Sequence, residues 1–325
     1  MSDAAAALGA SALFGGVPAE VLADIARLMT PTAYGAGDTV FAEGDRGHTL
    51  IVLESGRLEA LLHVPGRAPR RVAQMTTGQI VGELSLLADG RRTATVRATE
   101  PSTAWVLERS AFDVLRRDVR SPVATVVGAI GRSAVQRLER LYRRFGAELG
   151  VEDSRGAGKA GDGDAIEVEP EPHERVYLES TLFFSDFEYG EVAQVTRGLR
   201  RLAYERGMLV APTDRMPEAV WIVARGAVET SIRGAQGRRV LRLAGPGRAA
   251  GHLGLLGDEA FVAGIESRAR ERAVLLEAPW ARVHELLAGH DAASRRFAAA
   301  FWRDAVRALQ HGERPLARMS VREVA

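Results

Sequence analysis

The stretch of sequence that decides the fold is GELSLLADGRRTATV, residues 82–96. It begins at Gly82, and a glycine lets the backbone approach a ligand closely because it has no side chain. Free N–H groups at the start of a short helix can bind an anion, and Arg92 would add a bidentate contact to a phosphate. The carboxylate of Glu83 would repel a phosphate, so it is better suited to accept a hydrogen bond from a hydroxyl group. The stretch therefore predicts a site for one phosphate beside one sugar hydroxyl.

The composition allows two domains and excludes several kinds of site. The chain has 325 residues, of which 46% are hydrophobic, and this suffices for the cores of two ordinary domains. Its 43 basic and 42 acidic residues give a net charge of +1, which argues against a strongly basic surface for nucleic acid. The absence of cysteine excludes disulfides, thiolate nucleophiles and cysteine-ligated metals.

The hydrophobic pattern gives an expectation about location. No apolar run approaches the roughly 18 residues that a membrane-spanning helix needs. Residues 1–9 contain no basic segment of the kind that begins a secretory signal. We therefore expect a cytoplasmic protein without a membrane partner.

Residues 12–149 have the pattern of a sheet flanked by helices. Short apolar segments separated by turn residues fill residues 30–108, and many short strands with regular turns predict a closed or rolled antiparallel sheet. Helices are predicted at 111–117 and 122–149. The longer helix has an apolar stripe that would pack against the sheet, and that could also cover a ligand or pair with a second subunit. The stripe consists of Val123, Val126, Val127, Ile130, Val135, Leu138, Leu141 and Phe145.

The pattern divides the chain into two domains and a linker. Residues 150–175 lose hydrophobic periodicity and are rich in glycine, acidic residues and proline, which is typical of a flexible linker. The first predicted domain is 12–149, the second is 176–312, and residues 313–325 form a tail.

The second domain repeats the pattern of the first. Residues 221–229 resemble residues 51–59 at an offset of 170, and Gly251 follows Gly82 by 169 residues. A nearly constant offset over about fifty positions predicts a duplicated domain.

Together these features resemble the cyclic nucleotide-binding domain family, which includes catabolite-activator-type regulators, kinase regulatory subunits and nucleotide-gated channels. The resemblance covers residues 12–145 and, more weakly, 181–310. Its most specific part is 82–96, where Gly-Glu-Leu and Arg-Thr-Ala have the family's separation. The resemblance implies an α+β fold, with two tandem antiparallel β-rolls that are jelly-roll-like and have flanking helices.

The resemblance also implies a ligand and the residues that hold it. The ligand would be cAMP or cGMP, with cAMP favoured, and no further cofactor is expected. Glu83 would bind the ribose 2′-hydroxyl and Arg92 would pair with the cyclic phosphate, whereas Arg91 would be an exposed neighbour. The full ligand-binding set implied is Gly82, Glu83, Leu84, Ser85, Arg92 and Thr93.

The second copy departs from the family at these positions. Aligned on Gly251, it has His252 in place of Glu83 and Phe261 in place of Arg92. An aromatic ring cannot neutralise a phosphate, so the second roll is predicted to be degenerate, with no ligand or an altered one. No second metal ligand lies at helical or hairpin spacing from His252, so no metal site is predicted.

Two hypotheses for function follow. No kinase, cyclase or phosphodiesterase signature is found, and the seven histidines form no paired-ligand motif, so no catalytic residue and no enzymatic activity are predicted. The leading hypothesis is a receptor in which cyclic nucleotide rearranges residues 110–149 and changes contacts with an unidentified protein, or with a second copy through the 122–149 helix. The alternative is a scaffold whose two rolls bind partners independently of nucleotide. Contact of the helix's arginines with nucleic acid is the least favoured reading.

Overall fold

The computed structural model describes residues 3–63, 68–88, 90–117, 123–151, 165–171, 174–211, 213, 215–257 and 262–319. The chain divides into two compact units, residues 1–133 with 313–325 and residues 134–312. Residues 152–164, the main part of the predicted linker, lie outside the described residues.

The first unit contains a β-roll with helices before and after it. In its described residues the strands form two antiparallel sheets, in the orders β1-β8-β3-β6 and β2-β7-β4-β5. The elements in chain order are α1 (Asp3–Ala10), α2 (Ala19–Ala26), β1 (Thr30–Tyr34), β2 (Thr39–Phe41), β3 (Thr49–Ser55), β4 (Arg57–Leu62), β5 (Arg70–Thr76), β6 (Ile80–Val81), the one-turn 3₁₀ helix η1 (Glu83–Leu86), β7 (Thr95–Ala98), β8 (Ser102–Glu108), α3 (Arg109–Arg117) and α4 (Ala124–Glu148).

The core of this roll comes from strands of both sheets. Ile51 and Leu53 of β3 pack with Leu58 of β4 and Val96 of β7, and all four side chains are buried. Removing such side chains from water stabilises the fold by about 1.5–3 kcal/mol each. The two sheets are therefore held face to face by the alternating apolar residues that the sequence showed.

The second unit contains a second roll with the same strand order. Its elements are β9 (Ile166–Glu167), α5 (Glu174–Glu179), α6 (Glu191–Thr196), β10 (Arg200–Tyr204), β11 (Ala219–Arg225), β12 (Val228–Gly234), β13 (Gly237–Ala244), β14 (Ala249–Ala250), the 3₁₀ helix η2 (His252–Leu256), β15 (Ile265–Ala269), β16 (Ala273–Pro279), α7 (Trp280–Ala288) and α8 (Ala292–Met319). The sheet order β10-β16-β11-β14 repeats β1-β8-β3-β6, and β15-β12-β13 repeats β7-β4-β5. In the second roll, an isolated β-bridge between Leu209 and Arg268 takes the place of the β2–β7 pairing of the first roll. The predicted α+β fold with two β-rolls is confirmed.

The hairpin turn between β3 and β4 and the turn between β11 and β12 have the same backbone conformation. Gly56 has a φ of +88°, and a Cβ there would lie 2.6 Å from the carbonyl oxygen of Pro101. Gly226 has a φ of +75°, and its Cβ would lie 2.4 Å from the carbonyl oxygen of Arg272. Both turns exclude a side chain for the same two reasons, the left-handed backbone and the adjacent strand.

The long helix differs from its prediction in two respects. The described helix α4 runs from Ala124 to Glu148, and from residue 134 onward it is grouped with the second unit, whereas the sequence assigned residues 12–149 to one domain. All eight residues of its apolar stripe are buried within the single chain, none more than 6% exposed. This stripe is therefore covered by residues of the same chain, and a second subunit would have to use another face of the helix, so the predicted dimer contact through 122–149 stays a prediction.

Candidate functional site

The turn at Gly82 joins β6 to η1 and sets the position of the candidate site. Gly82 has a φ of +85°, and a Cβ there would lie 2.5 Å from Nη1 of Arg92 and 2.5 Å from the carbonyl oxygen of Thr49. Only glycine fits, because the left-handed backbone and the close approach of the arginine both exclude a side chain. The structure thus brings the two ends of the 82–96 stretch together, as the sequence predicts.

Arg92 lies inside the roll with its guanidinium held in place. Its side chain is buried, and Nη2 donates hydrogen bonds to the carbonyl oxygen of Thr49 at 2.9 Å and to Thr49 Oγ1 at 2.7 Å. The guanidinium carbon is 4.0 Å from the centre of the Phe41 ring, a cation–π contact. Arg92 therefore combines an immobilised planar cation with neutral hydrogen-bonding partners.

Nearby carboxylates offset only part of the cost of burying the charge on Arg92. Burial lowers the pKa of Arg92, while the negative charges of Glu83, Asp45 and Glu108 raise it. The guanidinium stays protonated at neutral pH because the ordinary pKa of arginine lies far above neutral. Glu83 is itself buried and is the carboxylate with the largest effect on Arg92. The two residues implied for hydroxyl and phosphate binding are thus neighbours.

The other implied residues have different surroundings. Ser85 is buried, and its Oγ lies 2.6 Å from the carbonyl oxygen of Gly82 and 3.1 Å from that of Thr49, so its hydroxyl closes the turn. Leu84 is half-buried, and Thr93 is exposed at the start of the segment leading into β7. A ligand role for these side chains stays a prediction.

The two adjacent arginines have opposite orientations. Arg91 is exposed, and its Nη1 donates a hydrogen bond to the carbonyl oxygen of Gly44 at 2.6 Å. Arg92 is buried between the turn and β3. The structure therefore selects Arg92 as the inward-facing residue of the pair.

Three residues of this site were missed by sequence reasoning. Thr49 and Phe41 contact the Arg92 guanidinium, and a Cβ at Gly47 would lie 2.9 Å from Ser85 Cβ and 3.3 Å from Arg92 Nε. The glycine-rich turn before β3 was a signal for a close approach, but it did not say which element would approach. Thr49 and Phe41 carry no local motif, because their contacts depend on strand pairing.

The corresponding turn of the second roll has a different polar group. Gly251 has a φ of +95° and begins η2, as Gly82 begins η1. His252 follows it and is buried, with Nε2 3.3 Å from Oδ2 of Asp304 on α8. Burial lowers the pKa of His252. Phe261, the predicted replacement for the arginine, lies outside the described residues.

Asp304 is the centre of a buried ion pair. Nη2 of Arg242 lies 3.0 Å and 2.9 Å from its two carboxylate oxygens, and the backbone N–H of Ala249 donates to Oδ2 at 3.0 Å. Burial alone would raise the pKa of Asp304, but the charge of Arg242 and the contact with His252 outweigh burial and hold that pKa well below its ordinary value. Nη1 of Arg248 also lies 3.4 Å from Oδ1 of Asp304, so this one carboxylate is shared by two arginines and offsets only part of their charge.

Within the described residues, no group of three or more histidine, cysteine, aspartate or glutamate side chains is placed to hold a metal ion. Among the described helices, none combines the length and the apolar character needed to cross a membrane.

Comparisons with known proteins bear on the first roll. The sequence profile of the cyclic nucleotide-binding domain matches residues 31–118. The acetyltransferase Pat of Mycolicibacterium smegmatis is 37% identical over 111 residues, which are 34% of this chain and 33% of that protein. A cAMP-dependent protein kinase regulatory subunit of Blastocladiella emersonii is 24% identical over 82% of this chain and 54% of that protein.

A solved structure is similar as well. The N-terminal domain of a transcriptional regulator from Streptomyces coelicolor A3(2) is 30% identical, covering 39% of this chain and 91% of that one, with a TM-score of 0.37. The chain spans between a third and just over half of the length of the two protein relatives described above. The match over residues 31–118, which include the turn at Gly82 and the buried Arg92, identifies this part of the chain as a cyclic nucleotide-binding domain.

Proposed function

We propose that the first roll binds cAMP, and that the chain is a receptor whose contacts with a protein partner change when the nucleotide binds. The observation that carries this proposal is the Arg92 guanidinium, which is buried at the Gly82 turn with Thr49 as its hydrogen-bonding partner. A phosphate carries the opposite charge and can accept two parallel hydrogen bonds from a guanidinium, which a neutral threonine cannot match. An anion at this turn would therefore improve the interactions of a cation that is already desolvated and oriented.

The cyclic phosphate supplies that anion and the ribose supplies the matching hydroxyl. Nη2 of Arg92 would exchange the neutral oxygens of Thr49 for a phosphate oxygen, without a large movement of the guanidinium. The carboxylate of Glu83 lies near enough to influence Arg92 and can accept a hydrogen bond from the ribose. A carboxylate next to a phosphate would be repulsive unless a sugar hydroxyl lay between them. This pairing favours a cyclic nucleotide over inorganic phosphate.

The receptor role is supported by the position of α3. This helix packs against η1, and its Phe112 is completely buried. Ligand that shifts the 83–86 turn therefore acts directly on α3. A shift in helix arrangement requires that the nucleotide bind one arrangement more tightly than the other.

Adenine as the base is supported by the resemblance to a cAMP-dependent protein kinase regulatory subunit over 82% of the chain. We propose a binding protein rather than an enzyme, because the side chains at this turn hold charge and hydroxyl groups but provide no activated nucleophile. The unidentified partner and a cytoplasmic location are parts of the same proposal.

Isothermal titration calorimetry with cAMP and cGMP tests the proposal. Wild-type protein is expected to bind cAMP more tightly than cGMP. Arg92→Ala is expected to weaken binding about ten- to hundredfold, since a hydrogen bond to a charged group contributes about 1.5–3 kcal/mol.

Arg91→Ala is the matched control. It removes the same charge from the adjacent residue, whose side chain is exposed, so nucleotide affinity should stay within about twofold of wild type. No binding of either nucleotide by wild type would refute the proposal. Equal losses in the two variants would show that Arg92 acts only through net charge.

A further inference from the structure

Helix α8 covers the second roll at the turn that begins with Gly251. The ring of Phe301 packs against that of His252, with the ring centres 5.2 Å apart. Asp304, one turn further along α8, has its Oδ2 3.3 Å from Nε2 of His252. Ala308, one turn beyond Asp304, lines a cavity that Gly251 and His252 also border. Residues three and four apart are neighbours on a helix surface, so a single face of α8 closes this end of the roll.

The carboxylate of Asp304 is bound by donors from β13 and from the connection into β14. Nη2 of Arg242 donates to both carboxylate oxygens, at 3.0 Å and 2.9 Å. The backbone N–H of Ala249 donates to Oδ2 at 3.0 Å, and Nη1 of Arg248 lies 3.4 Å from Oδ1. These three donors belong to the roll and not to α8, so the roll itself provides a site for a carboxylate.

The main donor of this site is held in place by the roll as well as by its ligand. Nη1 of Arg242 donates a hydrogen bond to the carbonyl oxygen of Ala249 at 2.8 Å. The guanidinium therefore has a fixed orientation, with Nη2 left to bind an anion. Such an arrangement suits the planar carboxylate group, which can accept hydrogen bonds on both of its oxygens.

The charge at this site favours an anion. Arg242 and Arg248 share the single carboxylate of Asp304, and exposed Arg215 lines the adjoining cavity. Asp304 is 2% exposed, yet the charge of Arg242 holds its pKa below the ordinary value, so the group is ionised at neutral pH. Positive charge thus exceeds negative charge among these four residues, and the anion in place comes from α8.

We propose that the second roll contains a carboxylate-binding site, formed by Arg242, Arg248 and the backbone N–H of Ala249, and that Asp304 of the chain's own helix α8 occupies it. The contact closes α8 over the Gly251 turn without an external ligand. Release of α8 from the roll therefore requires that Asp304 leave this site.

Rescue by formate tests the assignment, because formate is a free carboxylate that replaces the group removed in Asp304→Ala. Backbone hydrogen exchange in residues 297–311 of the full chain is measured by mass spectrometry, in formate and in chloride at equal ionic strength. Exchange in Asp304→Ala is expected to be at least about tenfold faster than in wild type, because one partner of a buried ion pair is lost. Formate should restore most of the protection and should saturate with a Kd no tighter than about 1 mM, the limit for so small a ligand.

Two controls separate the site from a general effect of salt. Asp304→Ala combined with Arg242→Gln lacks the main donor, so formate should protect α8 no better than chloride does. Wild type should not respond to formate, since a carboxylate tethered on α8 has an effective concentration that a free one cannot match.

Arg248→Gln keeps the Arg242–Asp304 contact and tests the site even if Asp304→Ala does not fold. It removes the longer and partly exposed of the two arginine contacts, so exchange in residues 297–311 should rise only about two- to fivefold. The added formate should have no effect here, because Asp304 still occupies the site.

Three results would overturn the proposal. The first is that exchange in residues 297–311 is unchanged in Asp304→Ala or in Arg248→Gln. The second is that chloride protects Asp304→Ala as well as formate does. The third is that formate protects the double variant as strongly as it protects Asp304→Ala. The experiment contains no nucleotide, so these results leave the proposal for the first roll unaffected.

Discussion

Gly82 supports the candidate site because it has no side chain, which leaves room for the Arg92 guanidinium and the Thr49 carbonyl group. Alanine at this position would combine an unfavourable left-handed φ with contacts of 2.5 Å to Thr49 and Arg92. The backbone conformation alone costs about 1–2 kcal/mol, and the overlap with the fixed Thr49 carbonyl adds to it. We predict that Gly82→Ala lowers the free energy of unfolding by more than about 2 kcal/mol in urea denaturation. Nucleotide affinity should fall in the same variant, because the guanidinium must move.

Gly37 provides the control for this prediction. Its φ is +93°, but a Cβ there would meet no atom within 4 Å. Gly37→Ala should therefore show only the cost of the backbone conformation, about 1–2 kcal/mol, with unchanged nucleotide affinity. Similar stability and affinity for the two variants would show that close packing at Gly82 is unimportant.

The candidate site was predictable where its residues are adjacent in sequence. The motif length predicted that Arg92 lies opposite the short helix and that Arg91 is exposed, and in the structure Arg92 lies against the Gly82 turn while Arg91 is exposed. Thr49 and Phe41 could not be found in this way, since each meets Arg92 only after β3 and β2 have taken their places in different sheets. Periodicity reports which face of an element is buried, and it does not report which side chain lies opposite.

At the scale of elements, α8 is joined to β13 by one buried ion pair. Asp304 of α8 is 2% exposed and accepts hydrogen bonds from Arg242 and from the backbone of Ala249. Asp304→Asn would leave Arg242 buried without its counter-charge, which costs about 3–5 kcal/mol. We predict a loss of this size in the free energy of unfolding of the second unit at pH 7, measured by urea denaturation.

The pKa of Asp304 is held below its ordinary value, so the stabilisation is complete at pH 7 and is lost only as the pH falls below about 4.

An exposed pair in the same unit serves as the control. Glu205 and Arg272 form an ion pair at 3.5 Å, with side chains 69% and 76% exposed. Glu205→Gln should leave the denaturation midpoint unchanged, because water and salt screen such a pair. A midpoint for Asp304→Asn equal to that of Glu205→Gln would contradict a structural role for the buried pair.

The long helix shows what an apolar stripe can and cannot predict. Its spacing predicted α4 to within two residues at the start and one at the end. The stripe is buried in the single chain, so its partner is this chain and not a second copy. Leu138 and Leu141, which belong to the stripe that could also have covered a ligand, lie in the 134–312 unit. The number of apolar residues in a stripe gives the area to be buried, and it does not identify the surface that buries it.

At the scale of the molecule, duplication preserved the fold and changed the chemistry. The glycines at 56 and 226 and those at 82 and 251 have the same left-handed backbone in both rolls, because the turns require it. The buried polar groups differ, with Arg92 and Glu83 in the first roll and His252 with the Arg242–Asp304 pair in the second. The constant offset in sequence predicted the repeated fold, but Asp304 lies on α8 outside the strands that define the repeat. Its contact with Arg242 could not be read from the alignment of the two copies.

This difference leads to a prediction for the whole chain. The first roll has a buried guanidinium with neutral hydrogen-bonding partners, whereas Arg242 at the second turn is bound to the buried carboxylate of Asp304. We therefore predict that each chain binds one cyclic nucleotide. Equilibrium dialysis with labelled cAMP should give a stoichiometry close to one for wild type, and binding about ten- to hundredfold weaker for Arg92→Ala. Two bound nucleotides per chain, or one bound nucleotide with unchanged affinity in Arg92→Ala, would show that the second roll binds a phosphate despite the Arg242–Asp304 pair.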